Sequence, residues 1–421
     1  MLRAFRTTRN KSIRGTVAGF ALAIALAGGV SMGSAAVTSE AAQAQDNSRG
    51  FVEAYQPVAA MVQGETPDVA GARAAIPTLI AAIETPADRN VAGNLILNIG
   101  NQLSEPALQR QGLELMLESG LVAPEQVGQF NWFVGSLAFN AGDYAAARTA
   151  LQAAVAAGYS DPEADATALV AESYAREDNY EAAYNTVMEA VAAAEAAGTT
   201  PREGWLLSTL QRTYNNDMRE EALTTSEALV RHHANQTNWV NTLQVVNALY
   251  ELDPEVRVDL YRLMRSTDAL TQRQEFVRYI EDLDPRVMSN EVQDVLALGM
   301  TAGVFDSADP YYTEVKGIVD TRAPQDRSGI EGIVSDGESG DSLDAMSAGD
   351  VLYSLDDFAR AEGMYRMALE KGADANTANT RIGIAQVEQG NYAAALETFG
   401  MVDGNRAPVA RMWAAYAASM M

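Results

Sequence analysis

The sequence predicts an all-α protein built as a stack of antiparallel helix pairs. Three observations carry that expectation. Period-two alternation of β-branched residues is not evident, whereas Ala, Leu, Glu, Gln, Arg and Met recur in segments of about 12–18 residues with three-to-four spacing, the pattern of amphipathic helices. Proline follows a capping residue at Thr66-Pro67, Thr85-Pro86, Asp161-Pro162, Thr200-Pro201, Asp253-Pro254, Asp284-Pro285 and Asp309-Pro310. A side-chain oxygen there satisfies free N–H groups, and proline fills the first helical position without losing a hydrogen bond. Finally, a short block of turn, aromatic residue and alanine recurs four times along the chain. About twenty helices are expected on this pattern.

Composition narrows the function. Of 421 residues 48% are hydrophobic, enough for globular bodies with real cores. The net charge of −26 argues against a nucleic-acid partner, because neutralising phosphates needs dense Lys and Arg. The absence of cysteine removes disulfides, thiolate metal sites, Cys nucleophiles and acyl-Cys anchors.

The chain begins with a basic leader of Arg3, Arg6, Arg9, Lys11 and Arg14. An uncharged, mostly apolar run from Thr16 to Val30 follows, and Ala42-Gln43-Ala44 offers a cleavage site. This layout predicts a Sec-type signal peptide over 1–44, with export to a bacterial periplasm or beyond. The run is too short, and too interrupted by Gly19, Gly28 and Gly29, for a spanning helix, and no later stretch is apolar enough to span. Without residues 1–44 the chain keeps 25 basic against 55 acidic groups, a net of −30. Such a surface is soluble, repels anionic lipid, and favours a basic partner.

Residues 51–120 read as helices that match no repeat, as expected of an atypical end that caps a stack. The recurring blocks come next: Gly142-Asp143-Tyr144-Ala145-Ala146-Ala147, Asp178-Asn179-Tyr180-Glu181-Ala182-Ala183, Asp356-Asp357-Phe358-Ala359-Arg360-Ala361 and Gly390-Asn391-Tyr392-Ala393-Ala394-Ala395. Their alanines Ala147 and Ala183 are 36 residues apart, and Ala361 and Ala395 are 34 apart. The flanks repeat too. A large and a small residue precede three of these turns, at Val134-Gly135, Val170-Ala171 and Ile382-Gly383. A large residue follows each central alanine by four at Leu151, Val187, Tyr365 and Phe399, and a small one three later at Ala154, Ala190 and Ala368, with Val402 departing. These features resemble the tetratricopeptide repeat, a helix–turn–helix of about 34 residues. The resemblance covers about 125–197 and 342–408. It implies a right-handed superhelical solenoid whose first helices line a concave, peptide-binding face. Carried over residue by residue, that face holds Gln129, Trp132, Ser136, Phe139 and Asn140, then Asp165, Ala168, Glu172, Ala175 and Arg176, then Leu343, Met346, Asp350, Tyr353 and Ser354. Trp132, Ser136 and Asn140 do not supply the clamp with which some family members hold a C-terminal carboxylate.

Between these stretches, Trp205, Tyr214, Trp239, Leu243 and Tyr250 suggest degenerate helix pairs over 200–300. Residues 323–344, rich in Gly, Ser and Asp, read as a loop or linker. The expected organisation is thus a leader (1–44), a helical array (45–322), the linker (323–344) and a C-terminal pair with a capping helix (345–421).

Chemical motifs are sparse. Gly29-Val30-Ser31-Met32-Gly33 matches a nucleophile elbow but falls in the leader, and follows no strand. His232-His233 are the only histidines; adjacent residues diverge on a helix, so they fit a helix C-terminus better than a metal. Asp336, Glu338, Asp341 and Asp344 cluster without the spacing of a calcium loop. No catalytic residue, metal or cofactor is expected. The sequence therefore favours a non-catalytic scaffold that binds a protein or peptide. An α-helical enzyme acting on envelope polysaccharide, or a purely structural envelope component, are the alternatives.

Overall fold

The computed structural model describes residues 47–63, 65–159 and 165–421. The expected leader, the Gly29–Gly33 motif and the Asp161-Pro162 helix start lie outside the described residues. Among the described residues there are twenty α-helices and no strand. They are α1 Arg49–Met61, α2 Val69–Ala81, α3 Pro86–Leu103, α4 Pro106–Glu118, α5 Pro124–Asn140, α6 Tyr144–Ala156, α7 Ala166–Arg176, α8 Tyr180–Ala196, α9 Glu203–Asn215, α10 Arg219–His232, α11 Gln236–Leu249, α12 Pro254–Ser266, α13 Arg273–Leu283, α14 Ser289–Thr301, α15 Pro310–Ser339, α16 Ser342–Tyr353, α17 Phe358–Glu370, α18 Ala375–Glu388, α19 Tyr392–Phe399 and α20 Ala407–Ser419. Consecutive helices pack on one another from α1 through α7 and from α9 through α20, as in a stack of helix pairs.

Proline marks some starts and misses others. Thr85-Pro86, Asp253-Pro254 and Asp309-Pro310 open α3, α12 and α15. Thr85 and Asp88 form a full capping box. At Thr66-Pro67 the helix waits for Asp68, whose carboxylate accepts from the Gly71 N–H. At Thr200-Pro201 the helix starts late; α9 opens after Arg202 without a side-chain cap. Asp284 ends α13 at φ 53° instead of opening a helix.

The recurring block is a turn with a fixed division of labour. Its first residue is left-handed: φ is 81° at Gly142, 57° at Asp178, 59° at Asp356 and 77° at Gly390. Glycine and short polar residues reach that region at least cost. Its second residue begins the next helix; Asp143, Asn179 and Asp357 accept from the N–H three residues on. The alanines Ala147, Ala183, Ala361 and Ala395 are fully buried. Asp217, at φ 55°, followed five residues later by buried Ala222, shows the same turn between α9 and α10, so the degenerate middle keeps the turn after losing its aromatic.

Helix pairs interlock through one small residue. A Cβ added at Gly135, Gly349 or Gly383 would sit 2.5 Å from Leu151, Tyr365 or Phe399 of the paired helix. The missing side chain is what lets the large one lie against backbone.

The stretch 323–344 corrects the linker expectation. Helix α15 runs through it to Ser339, with Pro324 inside. Val315, Val319, Ala323, Val334 and Gly337 are buried along it, and a Cβ on Gly337 would lie 2.7 Å from the Ala348 Cβ of α16. Glu331 pairs with Arg360, and Asp326 accepts from Ser289 at 2.5 Å. The Lys371 ammonium donates to the carbonyls of Gly337, Glu338 and Gly340, each at 2.8 Å, and so closes the C-terminus of α15. Tertiary partners hold as helix a composition that reads locally as loop.

By internal contacts the chain divides between Ala190 and Val191, within α8, not at 323–344. The N-terminal unit has a series of small cores in chain order, around Phe51, Leu79 and Ile96, then Leu113 and Phe130, then Leu151 and Val170. The C-terminal unit has one continuous core from Leu223 to Ala417. It closes on itself, because α20 packs back on α10, α11 and α12. There, Trp413 Nε1 donates to the Asp259 carbonyl at 2.8 Å, Tyr416 meets the Trp239 ring edge-on, and Arg411 forks onto Glu227 at 2.6 and 2.7 Å.

Candidate functional site: a pocket over a buried ionic network

Three first helices of pairs in the C-terminal unit present stripes of side chains to one cavity of about 400 Å³. Helix α12 contributes Glu255, Val258 and Arg262; α16 contributes Leu343, Met346 and Asp350; α18 and its cap contribute Asp374, Thr377 and Arg381. Three-, four- and seven-residue spacings put each set on one helical face. Leu283, Val287 and Met288, at the end of α13 and after it, complete the wall.

A dense ionic network underlies this pocket. Arg262 forks onto Glu291 at 2.9 and 2.8 Å, and also donates to Asp259 at 3.2 Å. Asp259 receives Arg406 at 2.7 Å, and the Tyr279 hydroxyl donates to Glu291 at 2.5 Å. The Arg262 guanidinium lies 4.1 Å above the Tyr353 ring, a cation–π contact. Arg381 donates to Asp350 at 2.7 Å, and Asp350 also receives Tyr365 at 2.8 Å. Burial alone would raise the Glu291 carboxyl; the Arg262 charge and its hydrogen bonds outweigh it and hold the group at about 2. For Asp350 the balance goes the other way. Burial lifts its carboxyl above the usual range despite Arg381. The Nε of Arg381 is buried without a hydrogen-bond partner.

The residues singled out on the concave face fall into two sets. In the C-terminal unit, Met346 and Asp350 line the pocket, joined by Leu343. Tyr353, one turn further, is 2% exposed and lies in the core, so it offers no surface. In the N-terminal unit, α5 and α7 are neighbours. There, Trp132 is half-buried against Phe133 and Tyr159, and Phe139 is half-buried with its ring edge on Tyr144. Ser136 is buried, which removes it from any surface, whereas Asn140 is exposed. Glu172 and Arg176 bond to each other at 2.7 Å on α7.

Sequence reasoning missed Arg262, Glu255, Arg381 and the α12 stripe. Apart from Asp259, three residues before Arg262, their partners lie 29 to 151 residues away, and no local spacing announces them. The histidines are structural: His232 faces Glu195 at 2.7 Å, and His233 faces the Pro201 carbonyl at 2.8 Å. Asp341 and Asp344 form the capping box of α16, which accounts for half of the acidic cluster. Among the described residues no group of three or more His, Asp or Glu is placed to hold a metal, and no helix is long and apolar enough to cross a membrane.

The tetratricopeptide repeat family model matches residues 346–407, which hold most of α16 and all of α17, α18 and α19. No curated protein matches the chain. Among solved structures the chain is similar to the structure of Naa15/Naa10 bound to HypK-THB, at 13% identity and a TM-score of 0.36. That alignment covers 84% of this chain and 63% of the other, so the chain spans less than two thirds of that chain's length. The repeat match and the helix-pair packing, not this likeness, support a tetratricopeptide-like repeat fold.

Proposed function

We propose that this chain is a non-catalytic scaffold of the bacterial envelope that captures a segment of a partner protein on the first helices of its C-terminal pairs. One observation carries the reading. Helices α12, α16 and α18 align their stripes on a single pocket, where a segment entering it meets all three. The repeat match over two of the three helices supports it. So does the state of the carboxylates. Asp259, Asp282, Glu291 and Asp350 are each bound to arginine, which suits a rigid receptor better than acid–base chemistry. Placement in the periplasm rests on the basic, apolar and small-residue order of residues 1–44.

The test is a photocrosslinking residue in place of Leu343, with Met401 as the control, in the native host. Both side chains are exposed, and only Leu343 lines the pocket. Discrete adducts from position 343 and none from 401 are expected. A blank at 343, or equal smears at both positions, would remove the reading. Fractionation of the full chain and of a chain lacking residues 1–44 tests the compartment: export of the first only is expected.

A further inference from the structure

We propose that the pocket seats one medium-sized apolar side chain of a partner segment whose adjacent residues are basic, with the cation resting on Glu255 and Asp374. This rests on the peptide-binding reading above and adds the chemistry of the ligand.

The apolar part follows from what the mouth exposes. Among the described residues, large exposed hydrophobics are few: Leu121, Val155, Val287, Leu343, Met401, Met420 and Met421. Two of them, Val287 at 60% and Leu343 at 72%, line this one pocket. Exposed apolar side chains that converge within a polar rim mark interaction sites. Behind them, Val258, Leu283, Met288 and Met346 continue the apolar wall inward. The two thioethers can adapt to the shape of an incoming side chain. A volume of about 400 Å³ is at the small end of ligand pockets, which fits one anchor and its flanking backbone.

The charge part follows from which lining groups are already neutralised. Arg262 is bound by Glu291 and Asp259, Arg381 by Asp350, and Asp282 by Arg257 at 2.6 and 2.7 Å. Two rim carboxylates remain open to solvent. Glu255 is 69% exposed even though its Oε2 accepts from Arg406 at 3.3 Å and lies 3.9 Å from Arg381. Asp374 is exposed and caps α18 through one oxygen, which accepts from the Thr377 N–H and hydroxyl. Those Thr377 hydrogen bonds lower the Asp374 carboxyl, so it is ionised. An anion would meet arginines whose charges are already matched by carboxylates, and a rim of like charge. A guanidinium or ammonium beside the anchor would gain charge-assisted hydrogen bonds.

The experiment is a random-peptide display selection against the full chain. Enriched sequences are resynthesised and titrated by fluorescence anisotropy at two salt concentrations. Three variants are compared: Leu343→Gln with Val287→Gln, Glu255→Lys, and the distant Leu121→Gln. All four side chains are exposed, so folding is expected to persist, and circular dichroism checks it. The expected result is peptides with an apolar anchor and Lys or Arg within about three residues of it. Their Kd should weaken at least tenfold in the first two variants, stay unchanged in the third, and weaken with salt. Neutral or acidic peptides that are still lost on Leu343→Gln with Val287→Gln would overturn the charge preference and leave the peptide-binding reading standing. Peptides indifferent to both pocket variants, or no enrichment at all, would overturn the pocket as the seat. The crosslinking at position 343 then decides the wider reading independently.

Discussion

Arg262 sits almost wholly buried between two carboxylates and a tyrosine ring, and the network works only as a set. Replacing Arg262 with Leu strands Glu291 without its counter-ion and should cost about 3–5 kcal/mol in urea unfolding. The double variant Arg262→Leu, Glu291→Leu should recover much of that loss, because desolvation of both ions is relieved together. Glu291 also sets a pH dependence. Its folded carboxyl is held at about 2, below the 4.5 of an unperturbed glutamate, so its stabilisation is present above 4.5 and lost as pH falls toward 2. Asp350 has the opposite sign. Its carboxyl is raised above 3.8, so its contribution declines as pH climbs from 3.8 through the folded value. Urea melts across the acid range should show a shallower acid limb in Glu291→Gln and, in Asp350→Asn, loss of the opposing term. At this scale the sequence was half legible. Ala147, Ala183, Ala361 and Ala395 stand at fixed offsets from a turn, and all proved to be core. Arg262 and Glu291 carry no offset that separates them from 55 other acids and 26 other arginines.

The element that most tested local reading is α15. Gly329, Gly332 and Pro324 argue for loop, yet the helix persists because buried Val315, Val319 and Val334 and the Lys371 cap hold it from outside. Pro324 gives up a helical hydrogen bond and remains a local cost of up to about 3 kcal/mol relative to alanine. Pro324→Ala should therefore raise the Tm of the chain, and Lys371→Met should lower it by exposing three unsatisfied carbonyls; differential scanning calorimetry reads both. The interlock within pairs predicts a sharper effect. Gly383→Ala puts a Cβ where Phe399 already lies, 2.5 Å away, and should cost about 1–3 kcal/mol. Phe399→Leu in the same chain should relieve part of it. Helix existence was legible from spacing; Gly120, Gly158, Gly198 and Gly372 are all left-handed, as a C-terminal stop requires. What escaped was support arriving from another helix.

For the C-terminal unit as a body, the decisive contact is the return of α20. Arg406, Arg411 and Trp413 bond to residues about 150 or more positions earlier in the chain. An open stack adds stability neighbour by neighbour, whereas a closed one ties its ends together. Ending the chain before Gly404 should therefore speed amide exchange in α10, α11 and α12 on the order of 100-fold, not only in α19. Exchange changes confined to α18 and α19 would show that closure contributes little. The sequence could not announce this. A repeat pattern describes how each pair meets the next, and carries no signal for which two ends meet.

The Lys371 cap has a practical side. Residues 47–421 contain two lysines, and one of them has its ammonium shared among three carbonyls while Lys316 pairs with Asp320 at 2.5 Å. Acylating reagents thus find almost no side-chain amine on this surface, while carbodiimides find carboxylates everywhere. In a zero-length coupling the partner must bring the amine. A bond from a partner lysine to Glu255 or Asp374 would then mark the docked register directly, against an internal background in which Lys316 to Asp320 is the crosslink to expect.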